Sequence, residues 1–258
     1  MDEVKVNELI KKALEDTVWS AFSQSAIERV AKKNSTKVHF IPVGVRVFSG
    51  VVQSLNIRYG NFIQALMGNL VKHESTLALH ELSGKKVDFR VSGNVDIEVD
   101  KYMGIRKQGT DSGLDSDYQN FRERWKSSNK VDKLNKAPND IDLLFTDKNN
   151  QLVYVELKFN DDHDTGKHPD IYRKVLKTGL AIEQLVSKPV LPCVYYFNAG
   201  QRNLTSYLPS TQRFSGADFF EKYLTVDYSL VASRLKHLSE TDEVKARFQA
   251  LAESVLFC

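Results

Sequence analysis

A chain of 258 residues with 41% hydrophobic and 27% charged content can bury a sizeable core, which excludes a disordered or fibrous protein. A net charge of +3 does not by itself announce a nucleic-acid binder, and two cysteines, Cys193 and Cys258, exclude a disulfide framework and fit a reducing cytoplasm. No apolar run approaches the ~20 residues that span a bilayer, and the charged stretch MDEVKVNELIKKALED does not read as a signal peptide.

In chain order, residues 4–32 predict helix, because Val6, Leu9, Ile10, Ala13 and Leu14 recur at helical spacing and Ile27, Val30 and Ala31 continue it. The pattern stops at Asn34-Ser35-Thr36. Lys37 to Val47 is β-rich and predicts a strand made irregular by Pro42 and Gly44. Asn61 is a candidate cap for the next helix, whose Ile63, Leu66, Met67, Leu70 and Val71 form one apolar stripe. Gln53, Asn56 and Arg58 precede it. Residues 87–103 alternate around Ser92-Gly93-Asn94 and predict a strand pair, with Asp96, Glu98 and Asp100 on one face. Such a row reads as the wet side of a sheet before it reads as a metal site.

The texture then changes. Residues 101–137 carry nine Lys and Arg against five Asp and Glu, so the positive excess of the chain sits here. The segment interleaves Tyr118, Phe121 and Trp125 with Arg122, Arg124, Lys126 and further lysines. Two readings stand: cations on phosphates with rings against sugars or bases, or a solvated loop with a short helix over Tyr118 to Trp125.

Asn139 to Lys167 organises the rest. Ile141, Leu143, Leu144 and Phe145 lead into a polar turn, and Leu152 to Phe159 lead out of it, which predicts a β-hairpin. Side chains alternate along a strand, so Tyr154, Glu156 and Lys158 share one face and Val153, Val155 and Leu157 the other. Asp142 lies on the opposite arm. Phosphodiester hydrolysis needs carboxylates to hold a divalent cation and a positive charge to stabilise or position what attacks. Asp142, Glu156 and Lys158 supply both. The bland alternative is an edge strand with an exposed ion pair that contributes little.

Beyond the hairpin, Pro169 opens a predicted helix to about Val186, with Ile171, Val175, Ile182 and Val186 on one stripe and Thr178 beside it. Arg173, Lys174 and Lys177 are expected on the opposite side, as a basic face that is either solvated or set against phosphates. Val190 to Phe197, with Pro192 inside, predicts a strand near an edge. Helices are expected over Gly216–Leu224, Tyr228–Leu238 and Thr241–Leu256, with Ser239 or Thr241 capping the last. Packing or dimerisation is their default role.

Asp142 followed by Glu156-Leu157-Lys158 resembles the PD-(D/E)XK nuclease motif. The run KFNDDHDTGK, from Lys158 to Lys167, resembles type II restriction endonucleases of the TdeIII or HinfI kind, and the likeness extends over Phe40 to Ala65 and into the C-terminal third. The resemblance implies an α/β fold with a PD-(D/E)XK (restriction endonuclease-like) core, a central mixed sheet flanked by helices. It implies one such domain over 1–258: a helical and β part to about 100, a catalytic core over about 101–198, and a helical part over about 199–258. The implied activity is Mg²⁺-dependent, sequence-specific cleavage of double-stranded DNA in a bacterial or archaeal cytoplasm. Asp142, Glu156 and the Leu157 carbonyl would hold the metal, and Lys158 would orient or activate the attacking water. Asp140 is the rival to Asp142, which is preferred because it sits inside the apolar run.

Asn160, Asp161, Asp162, His163, Asp164, Thr165 and Lys167 would read DNA: Asp and Asn can pair with cytosine or adenine and Lys with guanine. A self-capped turn, a metal cluster and a general base at His163 are the alternatives. A homodimer would cut both strands, and a cognate DNA methyltransferase would be a functional rather than a physical partner. Two other activities fit the motif: a repair or junction-resolving nuclease of this fold, and a non-catalytic DNA-binding module.

Overall fold

The computed structural model describes residues 1–36, 40–108, 112–128, 134–160, 168–198 and 206–256. They gather into two compact units: Met1–Leu70 with Thr225–Cys258, and Val71–Leu224. Residues 225–258 therefore join the N-terminal segment, across the boundaries expected from the sequence.

The first unit is helical. It holds α1 (Glu3–Thr17), α2 (Gln24–Ser35), α3 (Val43–His73) as far as Leu70, α8 (Tyr228–Ser239) and α9 (Asp242–Leu256). Asp2 caps α1 by accepting from the Lys5 N–H at 2.8 Å, and Val6, Leu9, Ile10 and Ala13 form its buried stripe. Thr241 caps α9, accepting from Val244 N–H at 3.4 Å, as expected. The strand expected over Lys37 to Val47 is not formed at its C-terminal end, where Val43–Val47 open α3. Pro42 sets φ at the helix start, and its carbonyl accepts from Arg46 N–H at 3.2 Å. Asn61 is an exposed mid-helix residue and caps nothing. Val47, Val51 and Leu55 carry the buried stripe back ahead of Phe62, Ile63, Leu66, Met67 and Leu70.

The second unit is α/β. Its five-stranded mixed sheet has the order β1 (Ala78–Leu79), β4 (Leu143–Thr146), β5 (Leu152–Asn160), β6 (Val190–Asn198), β7 (Arg213–Ser215). β1, β4 and β5 pair antiparallel, whereas β5, β6 and β7 are parallel. The hairpin forms where expected. Asp147 Oδ1 closes its turn by accepting from Asn149 and Gln151 N–H at 2.8 and 2.9 Å, and Asn150 takes a positive φ of 60°. β6 lies inside the sheet rather than at its edge. Pro192 is tolerated because β7 pairs only from Val194 onward, and Gln212 Nε2 donates to the Pro192 carbonyl at 2.9 Å.

Helices cover both faces. α6 (His168–Val186) lies against the face bearing Leu144, Tyr154 and Val194, together with α4 (Asn94–Gln108) and α5 (Leu114–Ser128). α7 (Ala217–Tyr223) covers the other: Phe219 lies 6.2 Å from Phe145 and 4.9 Å from Tyr195, centroid to centroid.

A two-stranded antiparallel sheet pairs β2 (Lys86–Ser92) with β3 (Leu134–Asp140). The expected strand pair over 87–103 is thus half right. β2 forms, but its partner is β3, and Asn94 onward is α4 because Val95, Val99, Tyr102 and Met103 make a buried helical stripe. The row of Asp96, Glu98 and Asp100 belongs to a helix. The expectation of DNA-stacking rings over 101–137 also fails for the described residues. Tyr118, Phe121 and Trp125 are core residues of α5, each burial contributing about 1.5–3 kcal/mol. Trp125 Nε1 and Arg122 Nη2 hold the two oxygens of Glu183 on α6, at 3.2 and 2.5 Å.

Candidate active site

The antiparallel pairing of β4 with β5 begins at Leu143↔Val155 and does not extend past it. The chain ahead of β4 has turned away, with Ile141 N–H donating to the Lys85 carbonyl at 3.0 Å. Beyond that point Leu157 N–H would lack a strand partner, and the Asp142 side chain takes its place: Oδ2 accepts from Leu157 N–H at 2.9 Å. The divergence of the strands brings Asp142 to the Glu156-Leu157-Lys158 segment.

Glu156 is 0% exposed. A buried carboxylate without partners costs several kcal/mol, and three donors meet this one. Lys158 Nζ and Lys174 Nζ both donate to Oε1 at 2.7 Å, and the Tyr154 hydroxyl donates to Oε2 at 2.7 Å. Burial alone would push the Glu156 pKa up, but the two ammonium groups outweigh it and hold the carboxylate below its usual range. Asp142 goes the other way. Burial first, then the charge of Glu156, raise it to about 6 against the partial relief from Lys174 and Lys158. Lys174 is pulled down by burial and up by Glu156 and Asp142, and the carboxylates win.

Two carboxylates of like charge beside the Leu157 carbonyl are a hard-oxygen donor set of the kind that suits a divalent cation keeping several waters. Burial, and after it the charge of Glu156, raise Asp142, and a bound cation would offset both. Among the described residues no group of three or more His, Cys, Asp and Glu converges, so this pair is the metal-binding candidate. Asp140 ends β3 in the other sheet, exposed and opposite Lys86, which leaves Asp142 as the aspartate beside Glu156.

Of the expected DNA-reading residues, Asn160 closes β5 and accepts from Asn198 Nδ2 at 3.2 Å. Asp161, Asp162, His163, Asp164, Thr165 and Lys167 lie outside the described residues. The basic face of α6 is not uniform. Arg173 pairs with Asp100 and Asp170 at 3.0 Å each, and Lys177 with Asp96 at 2.5 Å. Lys174 leaves that face and enters the site. Its spacing carried the signal, since 171, 174, 175 and 178 are one helical stripe, but its charge hid it. Tyr154 was legible on the face of Glu156 but not as its hydrogen-bond donor.

The profile of the family described as type II restriction endonuclease, HinfI, matches residues 3–234. The chain is also similar to the type II restriction enzyme HinfI of Haemophilus influenzae, with 32% identity over 248 residues that cover 94% of each chain. No solved structure matches it.

Proposed function

Because this chain belongs to the HinfI family of type II restriction endonucleases, we propose that it cuts double-stranded DNA at a specific sequence with Asp142, Glu156 and Lys158 as its catalytic residues. The observation that carries the assignment is the convergence of Asp142 on the Glu156-Leu157-Lys158 segment where β4 leaves β5. The family implies a divalent metal cofactor, and we take it to be Mg²⁺, held by Asp142, Glu156 and the Leu157 carbonyl. When bound, the cation supplies positive charge to the scissile phosphate and eases ionisation of the attacking water.

The protein's own groups do the rest. Glu156 holds the Lys158 ammonium at 2.7 Å, with the side chain 24% exposed, so that it reaches solvent from a fixed base. Lys158 donates to the attacking oxygen and offsets the charge that grows as the new phosphorus–oxygen bond forms. Tyr154 fixes the Glu156 carboxylate from behind.

Asn160, Asp161, Asp162, His163, Asp164, Thr165 and Lys167 follow the catalytic strand and are proposed to read bases. Arg173 and Lys177 are proposed to meet phosphates by exchanging their present carboxylate partners. A homodimer, a cognate methyltransferase acting on the same site, and a bacterial or archaeal cytoplasm complete the reading. Among the described residues no helix is long and apolar enough to cross a membrane.

A Mg²⁺-dependent cleavage assay on plasmid DNA with mapped ends tests it. Discrete ends at one recurring sequence are expected. Glu156→Ala, Lys158→Ala and Asp142→Ala should each lose at least about a hundredfold in rate while melting cooperatively, and Asp140→Ala should retain activity. Near-normal cutting by any of the first group overturns that residue's role.

A further inference from the structure

Lys174 is the unexpected occupant of the site. It reaches Glu156 from α6, 16 residues beyond Lys158 in sequence, and donates to the same oxygen, Oε1, at the same 2.7 Å. A carboxylate oxygen has two lone pairs, so two ammonium groups fill Oε1, and Tyr154 sits on Oε2. No cation can take Oε1 unless one of the lysines leaves it.

The two lysines differ in what else is open to them. Lys158 is bound to the strand that carries Glu156 and is two residues away along it. Lys174 stands on a separate element with its side chain 35% exposed, and Asp142 and Asp140 are both within its electrostatic reach. Asp140 is exposed, so an ammonium released from Glu156 has a second carboxylate to meet without being stranded. The charges agree. Asp142 and Glu156 balance Lys158 and Lys174, so a divalent cation added to the intact set leaves two positive charges. A phosphodiester attacked by hydroxide presents two negative ones.

Resting on the assignment of Glu156 as a metal ligand, we propose that Lys174 is a positioning residue. It holds Glu156 in place by occupying Oε1, competes with the divalent cation for that oxygen, and yields it when the cation binds. The site thereby stays neutral and assembled without metal, and the displaced ammonium remains beside the incoming phosphate.

Competition is read by metal affinity, independently of cleavage. Mn²⁺ is titrated into the full-length, DNA-free protein at pH 8, with free Mn²⁺ followed by electron paramagnetic resonance. Lys174→Met keeps the aliphatic stem and removes the competitor, so it should bind Mn²⁺ about two- to fivefold more tightly than the unmodified protein, the scale of one partly exposed ion pair. Lys174→Gln, which keeps a donor without charge, should move in the same direction, and Lys174→Arg should stay near the starting affinity. A residue that only braced the fold would leave affinity unchanged or lower it in every variant. Unchanged or weaker binding by folded Lys174→Met and Lys174→Gln overturns the proposal, as does tighter binding by Lys158→Met alone. Glu156→Gln tells the two failures apart. It should abolish Mn²⁺ binding; if it binds like the unmodified protein, the metal-ligand assignment fails and the competition by Lys174 with it, whereas lost binding in Glu156→Gln beside unchanged binding in the Lys174 variants overturns the role of Lys174 alone.

Discussion

Asp142 and Glu156 are like charges in one buried site, and their surroundings push them in opposite directions. Glu156 has two ammonium partners, while Asp142 accepts from Leu157 N–H at 2.9 Å and otherwise feels burial and its neighbour's charge. With the Asp142 pKa at about 6 in the fold against an ordinary 3.8, the folded chain binds the proton more tightly than the unfolded one. The stabilisation from that proton is complete below about 3.8 and is lost as pH rises through about 6. The metal-free protein therefore carries an electrostatic cost at pH 8 of at most about 3 kcal/mol. Asp142→Asn keeps an acceptor for Leu157 N–H without the charge. Its melting temperature should exceed that of the unmodified protein by a few degrees at pH 8, and the gain should shrink toward zero near pH 4. Mg²⁺ should raise the melting temperature of the unmodified protein and leave Asp142→Asn where it is. A variant that melts lower at pH 8 would show that the carboxylate is not held at a cost.

Among the elements, α6 ties the site to the sheet. Its fit onto β6 depends on Gly179, where an added Cβ would lie 2.9 Å from the Pro192 Cβ, part of a rigid ring. Gly179→Ala should thus destabilise the protein by about 1–3 kcal/mol by overpacking, despite alanine's better helix propensity. The midpoint of urea unfolding measures it, and an unchanged or higher midpoint would mean that the helix can shift freely. The elements also explain what sequence could deliver. The β4–β5 hairpin was legible because two short apolar runs, rich in β-branched and aromatic residues, flank an Asp-Lys-Asn-Asn turn and nothing competes with it. α4 was not. Asp96, Glu98 and Asp100 alternate with Ile97 and Val99 as in a strand, while the helical stripe of Val95, Val99, Tyr102 and Met103 shows only when a core is present to receive it. The opening of α3 was lost to its β-branched valines, a local preference that tertiary burial overrode. The approach of Asp142 to Glu156-Leu157-Lys158 could be expected from chemistry and spacing. For Lys174 the helical spacing hinted at a buried face, but its charge argued for solvent, and its partner 18 residues away on another element shows only in the fold.

For the whole molecule, the proposed assignment gives each chain one pairing of Asp142 with Glu156-Leu157-Lys158, and so one strand cut per site. Two strands of a symmetric sequence call for two chains related by the two-fold of the DNA. Sedimentation of the complex with a cleavable duplex in Ca²⁺ should give two chains per duplex, and one chain per duplex that is cut on both strands would overturn the expectation. The division of the chain has a further consequence, for its birth. Val71–Leu224 is continuous, whereas the helical unit is assembled from the first 70 residues and the last 34. On a ribosome adding roughly 5–20 residues per second, the first segment waits on the order of ten seconds or more for the strands to be made before its remaining helices arrive. The α/β unit is thus fully synthesised while α1, α2 and most of α3 still lack part of their own interior. The unit begun first is thus the one finished last, because the continuous α/β unit is inserted between its two segments.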